Sequence, residues 1–342
     1  MGWSSHGGED LVEVSPGFTM SGAKMSVEFR LSEGAEGDYE AIVRIARAVR
    51  PDDYVSVADI QDWQENQRRA GRFTARWLAW VSDSIVGSAY VGESPWIEST
   101  MMIAHVMVHP ENQHQGYGRT LLEKTEATAL EFGGESLLGW TQETRPRAMR
   151  FLERAGFREN DREWQSTLEL GRFDATAWQA ALDRVTASGL RIISVGTLAT
   201  ERTDWKRDLH HLYVQLETDV PTMFPILEMP FDDFEALILG RRLVTDGFLV
   251  AMDGDQLVGL TEPQLVDDEP TAIAQEMTGV RSDYRGRGVA TALKIEAATW
   301  AKDSGFTSIR TDNAQSNAPM LAVNTRLGFE RDHATVEYLK RL

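Results

Sequence analysis

Two short glycine-bearing stretches hold the residue types that could do chemistry. In "RGRGVA" (285–290), Gly286, Gly288 and Ala290 stand among Arg285 and Arg287, directly ahead of a segment with helical apolar spacing. In "QHQGYG" (113–118), Gly116 and Gly118 stand in the same relation. A helix that starts at such a turn aims successive backbone N–H groups at one point, and its dipole adds about half a positive charge there. Small residues let a bulky anion reach the backbone, and the arginines add charge. The chemistry on offer is anion binding. Neither stretch is the G-x-x-x-x-G-K-[ST] loop of nucleoside triphosphatases. A dinucleotide fingerprint, G-x-G-x-x-G, fails at Thr291 and would have to open its domain, whereas this turn follows hairpins. An unliganded strand-to-helix turn is the bland alternative.

The elements that must position these turns occur twice. "HVMVHPENQHQGYGRTLLEKTEATALEFG" (105–133) parallels "MTGVRSDYRGRGVATALKIEAATWAKDSG" (277–305), and "FLERAGF" (151–157) parallels "VNTRLGF" (323–329). Gly116 to Gly288 and Gly156 to Gly328 are both steps of 172 residues, so two landmarks keep one offset. In the first copy, strands are expected at 27–31, 100–108 and 136–141 and a hairpin over 74–92 turning at Asp83-Ser84. Its helices are expected at 38–49, after the glycine turn, and at 146–154. The second copy repeats this order. Its strands are expected at 189–195, 272–280 and 308–313, with a hairpin around Asp253-Gly254. Its helices are expected at 208–221, stopped by Pro221, after the turn, and at 319–327. Residues 174–188 read as a connecting helix capped by Asp174. The expected fold class is α+β, or mixed α/β: two tandem domains, each a central, mostly antiparallel sheet flanked by helices. The domains run 26–172 and 190–342, joined by a linker helix over 173–189. Residues 1–25 read as a flexible tail with neither the basic start nor the apolar core of a signal peptide.

Composition limits the partners. The 342 residues include 53 acidic and 35 basic side chains, a formal charge of −18. That surface repels nucleic acid and anionic lipid and weakly attracts cations. The chain has no cysteine, which removes disulfides, thiolate metal sites and a cysteine nucleophile, and is compatible with a reducing cytoplasm. No apolar run approaches the roughly 20 residues that span a bilayer. We expect a cytoplasmic monomer or homodimer that binds neither nucleic acid nor membrane. The cluster Asp219, Glu228, Asp232, Asp233 and Glu235 would suit a cationic small molecule or serve as an acidic surface loop. His210 and His211 point to different helix faces, so no metal site is expected. "WQENQRRAGRF" (63–73) reads as a solvated basic helix.

R-x-x-G-x-A in "RGRGVA" and Q-x-x-G-x-G in "QHQGYG", each with its downstream strand and "GF", resemble the pyrophosphate loop of the GCN5-related N-acetyltransferase (GNAT) superfamily. The resemblance covers both copies and is strongest over 272–331, where the chain is similar to tandem-domain members. It implies acetyl-CoA as co-substrate and acetyl transfer to an amine of a small molecule or peptide through a direct ternary complex. It implies a coenzyme A site at Val280, Arg285, Gly286, Arg287, Gly288, Val289, Ala290 and Thr291. The first copy's counterparts are Val108, Gln113, His114, Gln115, Gly116, Tyr117, Gly118 and Arg119. Asn313 and Asn317 would border the pantetheine arm, although Asn317 also reads as a helix N-cap. Gly279 would mark a bulge whose N–H meets the thioester oxygen, or else a close packing contact.

An alkylammonium acceptor is neutral in about one molecule in 2,500 at pH 7, so a proton must be removed before attack. Glu276, on the central strand of the second copy, is the candidate base; a solvated strand-end carboxylate is the alternative. His105 and His109 occupy comparable territory in the first copy. Family members place an acidic tyrosine four residues before the glycine of "GF". Asn324 and Leu152 fill those slots here, which leaves Asn324 itself, Tyr338 or water beside the departing thiolate. The second copy, with the more complete motifs, is the expected catalyst. A coenzyme-A-binding sensor or scaffold without turnover is the alternative.

Overall fold

The computed structural model describes residues 26–51, 55–220, 226–266 and 269–342. The expected tail and Pro221 lie outside the described residues. The first copy runs β1 (Val27–Leu31), α1 (Glu36–Val49), α2 (Val57–Arg69), β2 (Thr74–Val81), β3 (Ser84–Gly92), β4 (Met101–Val108), α3 (Tyr117–Glu131), β5 (Ser136–Gln142), α4 (Pro146–Arg154) and β6 (Arg158–Glu169). After α5 (Gln179–Ala187), the second runs β7 (Leu190–Ser194), α6 (Val195–Glu201), α7 (Trp205–Glu217), α8 (Phe231–Leu237), β8 (Leu249–Asp253), β9 (Gln256–Leu265), β10 (Ala272–Val280), α9 (Val289–Asp303), β11 (Ser308–Ala314), α10 (Ala318–Leu327) and β12 (Glu330–Arg341). From α3 and α9 to the last strands, every strand and both loop-following helices begin and end 172 residues apart. The connecting segment is a short 3₁₀ turn, Ala175–Trp178, whose first amide is capped by Asp174, followed by α5.

The strands form one continuous sheet in the order β1-β2-β3-β4-β5-β12-β6-β11-β10-β9-β8-β7. The copies have exchanged their last strands. β12 of the second copy lies between β5 and β6, and β6 of the first lies between β12 and β11. Pairing is antiparallel except at β4–β5 and β10–β11. Each sheet half carries cores on its two faces, and the exchanged strands enter the other copy's core: Val336 and Tyr338 of β12 pack with Met102 and Leu122, and Leu168 of β6 with Ile273 and Ile309. In the second copy, Leu209, Leu212 and Leu216 of α7 pack with Phe234 and Phe248 on one face. Val289, Ala292 and Leu293 of α9 pack against Val258 and Val280 on the other. Helix α5 adds Val185 to that second cluster, so the connecting helix belongs to the second copy's core.

Candidate active site

Both glycine turns are built alike. Gly116 and Gly288 occupy the position before α3 and α9 with φ of 89° and 85°, in the left-handed region that glycine tolerates without strain. Neither helix has a side-chain cap, so its first N–H groups are free of side-chain acceptors. His114 takes φ 65° where Gly286 takes 75°, so the first copy accepts a strained residue at that bend. Gln113 Nε2 donates to Val108 O and Arg285 Nε to Val280 O, both at 3.0 Å, tying each loop to the end of its strand. Arg285 also pairs with Asp219 at 2.6 Å, and Arg287 donates to Asp283 O at 2.8 Å over the ring of Tyr284. Val289 is buried in the core, whereas Ala290 and Thr291 are half-buried. Tyr117 donates to Gln115, and Arg119 pairs with Glu123 along α3. Uncapped amides, left-handed glycines and small residues at 118 and 290 fit a diphosphate. The side chains of Val280 and Val289 pack in one core of the second copy and that of Val108 in a core of the first.

Past each turn, the parallel strands separate. β4 and β5 pair only over 101–103 with 136–138, and β10 and β11 only over 272–274 with 308–310. Beyond the last pair, two neighbouring strands lose their shared hydrogen bonds, which opens the sheet. The two openings differ. In the first copy, His105 of β4 and Trp140 of β5 stack across the gap with ring centroids 5.5 Å apart. Burial, then nearby Arg50 and Arg76, pushes the His105 imidazole down to about 3, so it is neutral. In the second copy, the register of β10 shifts between Gln275 and Thr278, and Glu276 and Met277 together oppose Glu262 of β9. That bulge is absent from the continuous β3–β4 ladder, which runs from Gly87–Val108 to Gly92–Ile103. The expected bulge at Gly279 is thus placed two to three residues earlier. Gly279 pairs regularly with Leu260, and a Cβ there would lie 2.9 Å from Leu216 Cδ1, so packing explains the glycine.

A cavity of about 470 Å³ lies at the second opening and reaches toward the first. The second copy contributes Glu276, Met277 and Thr278, Thr311 to Ala314, Asn317 and Lys294; the first contributes Trp96, Ile97, Trp140, Asp161 and Glu163. Glu276 makes no hydrogen bond or ion pair among the described residues. Its surface is accessible at the cavity it lines, and desolvation by the protein around it, followed by Asp312, raises its carboxyl above the usual range. Glu163, from exchanged strand β6, also points into the cavity, and burial, then Asp312, Glu337, Asp161 and Glu276, push it up to about 7. Glu262, fully buried behind Glu276, is pushed up to about 8 by burial and then by Glu276. Glu163 and Glu262 therefore exchange protons near neutrality.

A buried polar chain runs beneath this wall. Lys294 Nζ donates to Gln275 Oε1, Gln275 Nε2 donates to Thr261 Oγ1 at 2.9 Å, and the Thr261 and Thr278 hydroxyls lie 2.8 Å apart. By strand register and the shared offset, the first copy holds Leu122, Ala104, Ala89 and Val106 in these places. Asn324 is 2% exposed and donates to Asn313 Oδ1 at 2.6 Å. Asn317 caps α10 at Met320 N and also lines the cavity.

Other candidates lie elsewhere. Tyr338 is fully buried in the first copy's core, 3.4 Å from Glu153, and does not line the cavity. His109 lies by Glu111 at the strand end. Asp219, Asp233 and Glu235 are paired with Arg285, Arg72 and Lys206, so the acidic groups facing the cavity are not the predicted cluster. His210 is bound to Met229 O, and no described cluster of three His, Asp or Glu side chains is arranged for a metal. Among the described residues no helix is long and apolar enough to cross a membrane. Sequence reading missed Asp161, Glu163, Glu337 and Lys294. The i, i+2 spacing of Asp161 and Glu163 places them on one strand face, but nothing local says which sheet receives that strand.

The sequence model described as "Acetyltransferase (GNAT) family" matches residues 39–157 and again 207–329. A mycothiol acetyltransferase of Saccharomonospora viridis is 23% identical over 259 residues, 69% of this chain and 73% of that protein. One of Actinosynnema mirum is 34% identical over 94 residues, 27% of this chain, and the match spans only 31% of that relative's length. A solved tandem GNAT protein from the clavulanic acid biosynthesis pathway superposes with a TM-score of 0.71 at 17% identity, over 92% of this chain and 98% of that one. The family match falls on both copies, each with its loop, splayed strands and terminal helix, and the chain belongs to the GNAT acetyltransferase family.

Proposed function

We propose that the chain transfers an acetyl group from acetyl-CoA to the amine of a small molecule by direct attack, with the chemistry in the second copy. The observation that carries this is the difference between the two openings. The second has a bulge, polar flanks and a carboxylate-lined cavity wall, whereas the first has no bulge and presents the stacked rings of His105 and Trp140. Coenzyme A would lie with its diphosphate on the amides after Gly288 and its thioester in the β10–β11 opening, beside Asn313 and Asn317. Glu276 and Glu163 act as a coupled pair that takes the proton from the acceptor ammonium. The carboxylates facing the cavity favour a cationic acceptor, and its wall joins both copies, so the first copy serves acceptor binding. In this reading the copies are 26–172 and 190–342, joined by 173–189, and the cysteine-free chain works in the cytoplasm. A coenzyme A sensor without turnover is the second reading, favoured by Asn324 at the tyrosine slot. Calorimetric titration with acetyl-CoA tests the site. One strong site per chain, abolished by Ala290→Glu and kept by Gly118→Glu, is expected. These positions are preferred to Gly288 and Gly116 because they avoid left-handed backbone. Binding that survives Ala290→Glu contradicts the reading.

A further inference from the structure

Lys294 has no part in the chemistry described so far, yet it is costly to keep. Its side chain is 2% exposed, projects from α9 toward the sheet, and lines the cavity. It donates to a neutral partner, Gln275 Oε1, and no carboxylate pairs with it among the described residues. Such a group destabilises a fold unless something repays it. The first copy shows that the fold does not need it, because Leu122 fills the same helix position and joins a core cluster with Met102 and Phe157. Phe329, the counterpart of Phe157, lies 5.0 Å from the Lys294 ammonium. The amine is therefore held by the second copy alone, at the opening that carries the bulge.

The departing thiolate takes up a proton there, from a side chain or from water. Asn324, in the tyrosine slot, has no ionisable proton and is bound to Asn313, and Tyr338 lies outside the cavity. We infer that Lys294 is the proton donor to the sulfur of the departing coenzyme A, a role that rests on the proposed acetyl transfer in this copy. As the acceptor nitrogen bonds to the acetyl carbon and the carbon–sulfur bond breaks, Lys294 passes one proton to sulfur. Of the two protons the acceptor ammonium loses in becoming an amide, one restores Lys294 and the other reaches solvent, so the products are the amide, the thiol and one proton. The desolvated amine suits this task, since burial brings Lys294 down to about 7, close to an ordinary thiol at about 8.5. The Gln275–Thr261–Thr278 chain holds the amine against the strand.

The test compares wild type with Lys294→Leu, with Lys294→Leu combined with Gln275→Ala, and with Lys294→Gln. The double variant reproduces the Leu122 and Ala104 pair of the first copy and leaves no orphaned amide. Acetyl-CoA affinity by calorimetry is expected to change less than about 3-fold, while kcat with the best amine of a screen falls about 10- to 100-fold in all three. The midpoint of thermal unfolding of the double variant is expected to rise by about 2–5 °C, as a buried amine is replaced by packed carbon. Unchanged kcat in Lys294→Gln, or parallel loss of stability and kcat in the double variant, overturns the proton-donor role and makes Lys294 structural. Intact-mass gain of one acetyl group mapped to Lys294 also overturns it, since the residue would then be an acceptor. Absence of acetyl-CoA binding by wild type defeats the underlying reading instead, and is distinguished by that calorimetric step.

Discussion

At the residue scale, the proposed chemistry makes the carboxyls around the second opening set the rate, and their burial bears on stability. Glu163 is held near 7 by burial and by the acids around it, so as a proton acceptor it becomes competent as pH rises through about 7. Lys294, the proposed proton donor, loses its proton over the same range, so kcat should be bell-shaped with its maximum near neutrality; Glu163→Gln or Glu276→Gln should lower kcat about 100-fold, with the Glu163 variant losing the acidic limb and keeping the basic one. A kcat–pH profile for each variant checks this. Glu262 gives a stability counterpart. Its folded value, about 8, lies above its unfolded value, so the native state binds the extra proton between roughly pH 4.5 and 8. Its contribution is full below that window and is lost as pH rises through it. Urea unfolding of wild type and Glu262→Gln should therefore diverge, wild type weakening more steeply from pH 5 to 8; identical slopes would contradict the burial assigned to this group. At this scale the sequence was partly legible. Glu276 and the asparagines could be named from strand and loop position. Lys294 could not, because a lysine among "ATALKIEAA" reads as the solvated face of a helix, and only packing shows that it points inward.

At the scale of elements, the glycine turns, the hairpins and the connecting helix could be read from periodicity and turn residues, and their bounds agree with the structure to within a few residues. The last strand of each copy could not. "RENDREWQSTLE" and "ERDHATVEYLKR" are too polar to read as central strands. Part of that polarity faces a cavity and not a core, since Asp161, Glu163 and Glu337 line it; much of the rest, such as Glu159 and Glu330, is exposed at the strand starts. The bulge was misplaced for a related reason. Glycine is a cue for a bulge, but Gly279 is needed for the close approach of Leu216, while the inserted residue falls at Glu276–Met277. Gly279→Val would force that contact apart and should destabilise the chain by about 1–3 kcal/mol, measurable in denaturant.

At the scale of the whole molecule, strand exchange makes the two copies one folding unit. β6 and β12 bond to each other and to strands of both copies, and the cavity exists only where they meet. Residues 26–172 expressed alone would lack β12 beside β5, leaving two unpaired edges in place of a continuous ladder. We expect the intact chain to unfold in one cooperative transition and the isolated first copy to be far less stable or to pair with another copy of itself. Two separate transitions in the intact chain would contradict this. The duplicated pattern was visible from a single offset in sequence, but the partner of each last strand was not, since the same local pattern serves a strand in its own sheet or in its neighbour's. The proposed division of labour between the copies rests on the two openings. The most direct measurement of it is acetyl-CoA turnover against a panel of small amines by wild type, Gly118→Glu and Ala290→Glu, with unfolding midpoints as the control for folding. The account predicts turnover that survives the first substitution and is lost with the second; turnover lost with Gly118→Glu and kept with Ala290→Glu would place the chemistry in the other copy and contradict it.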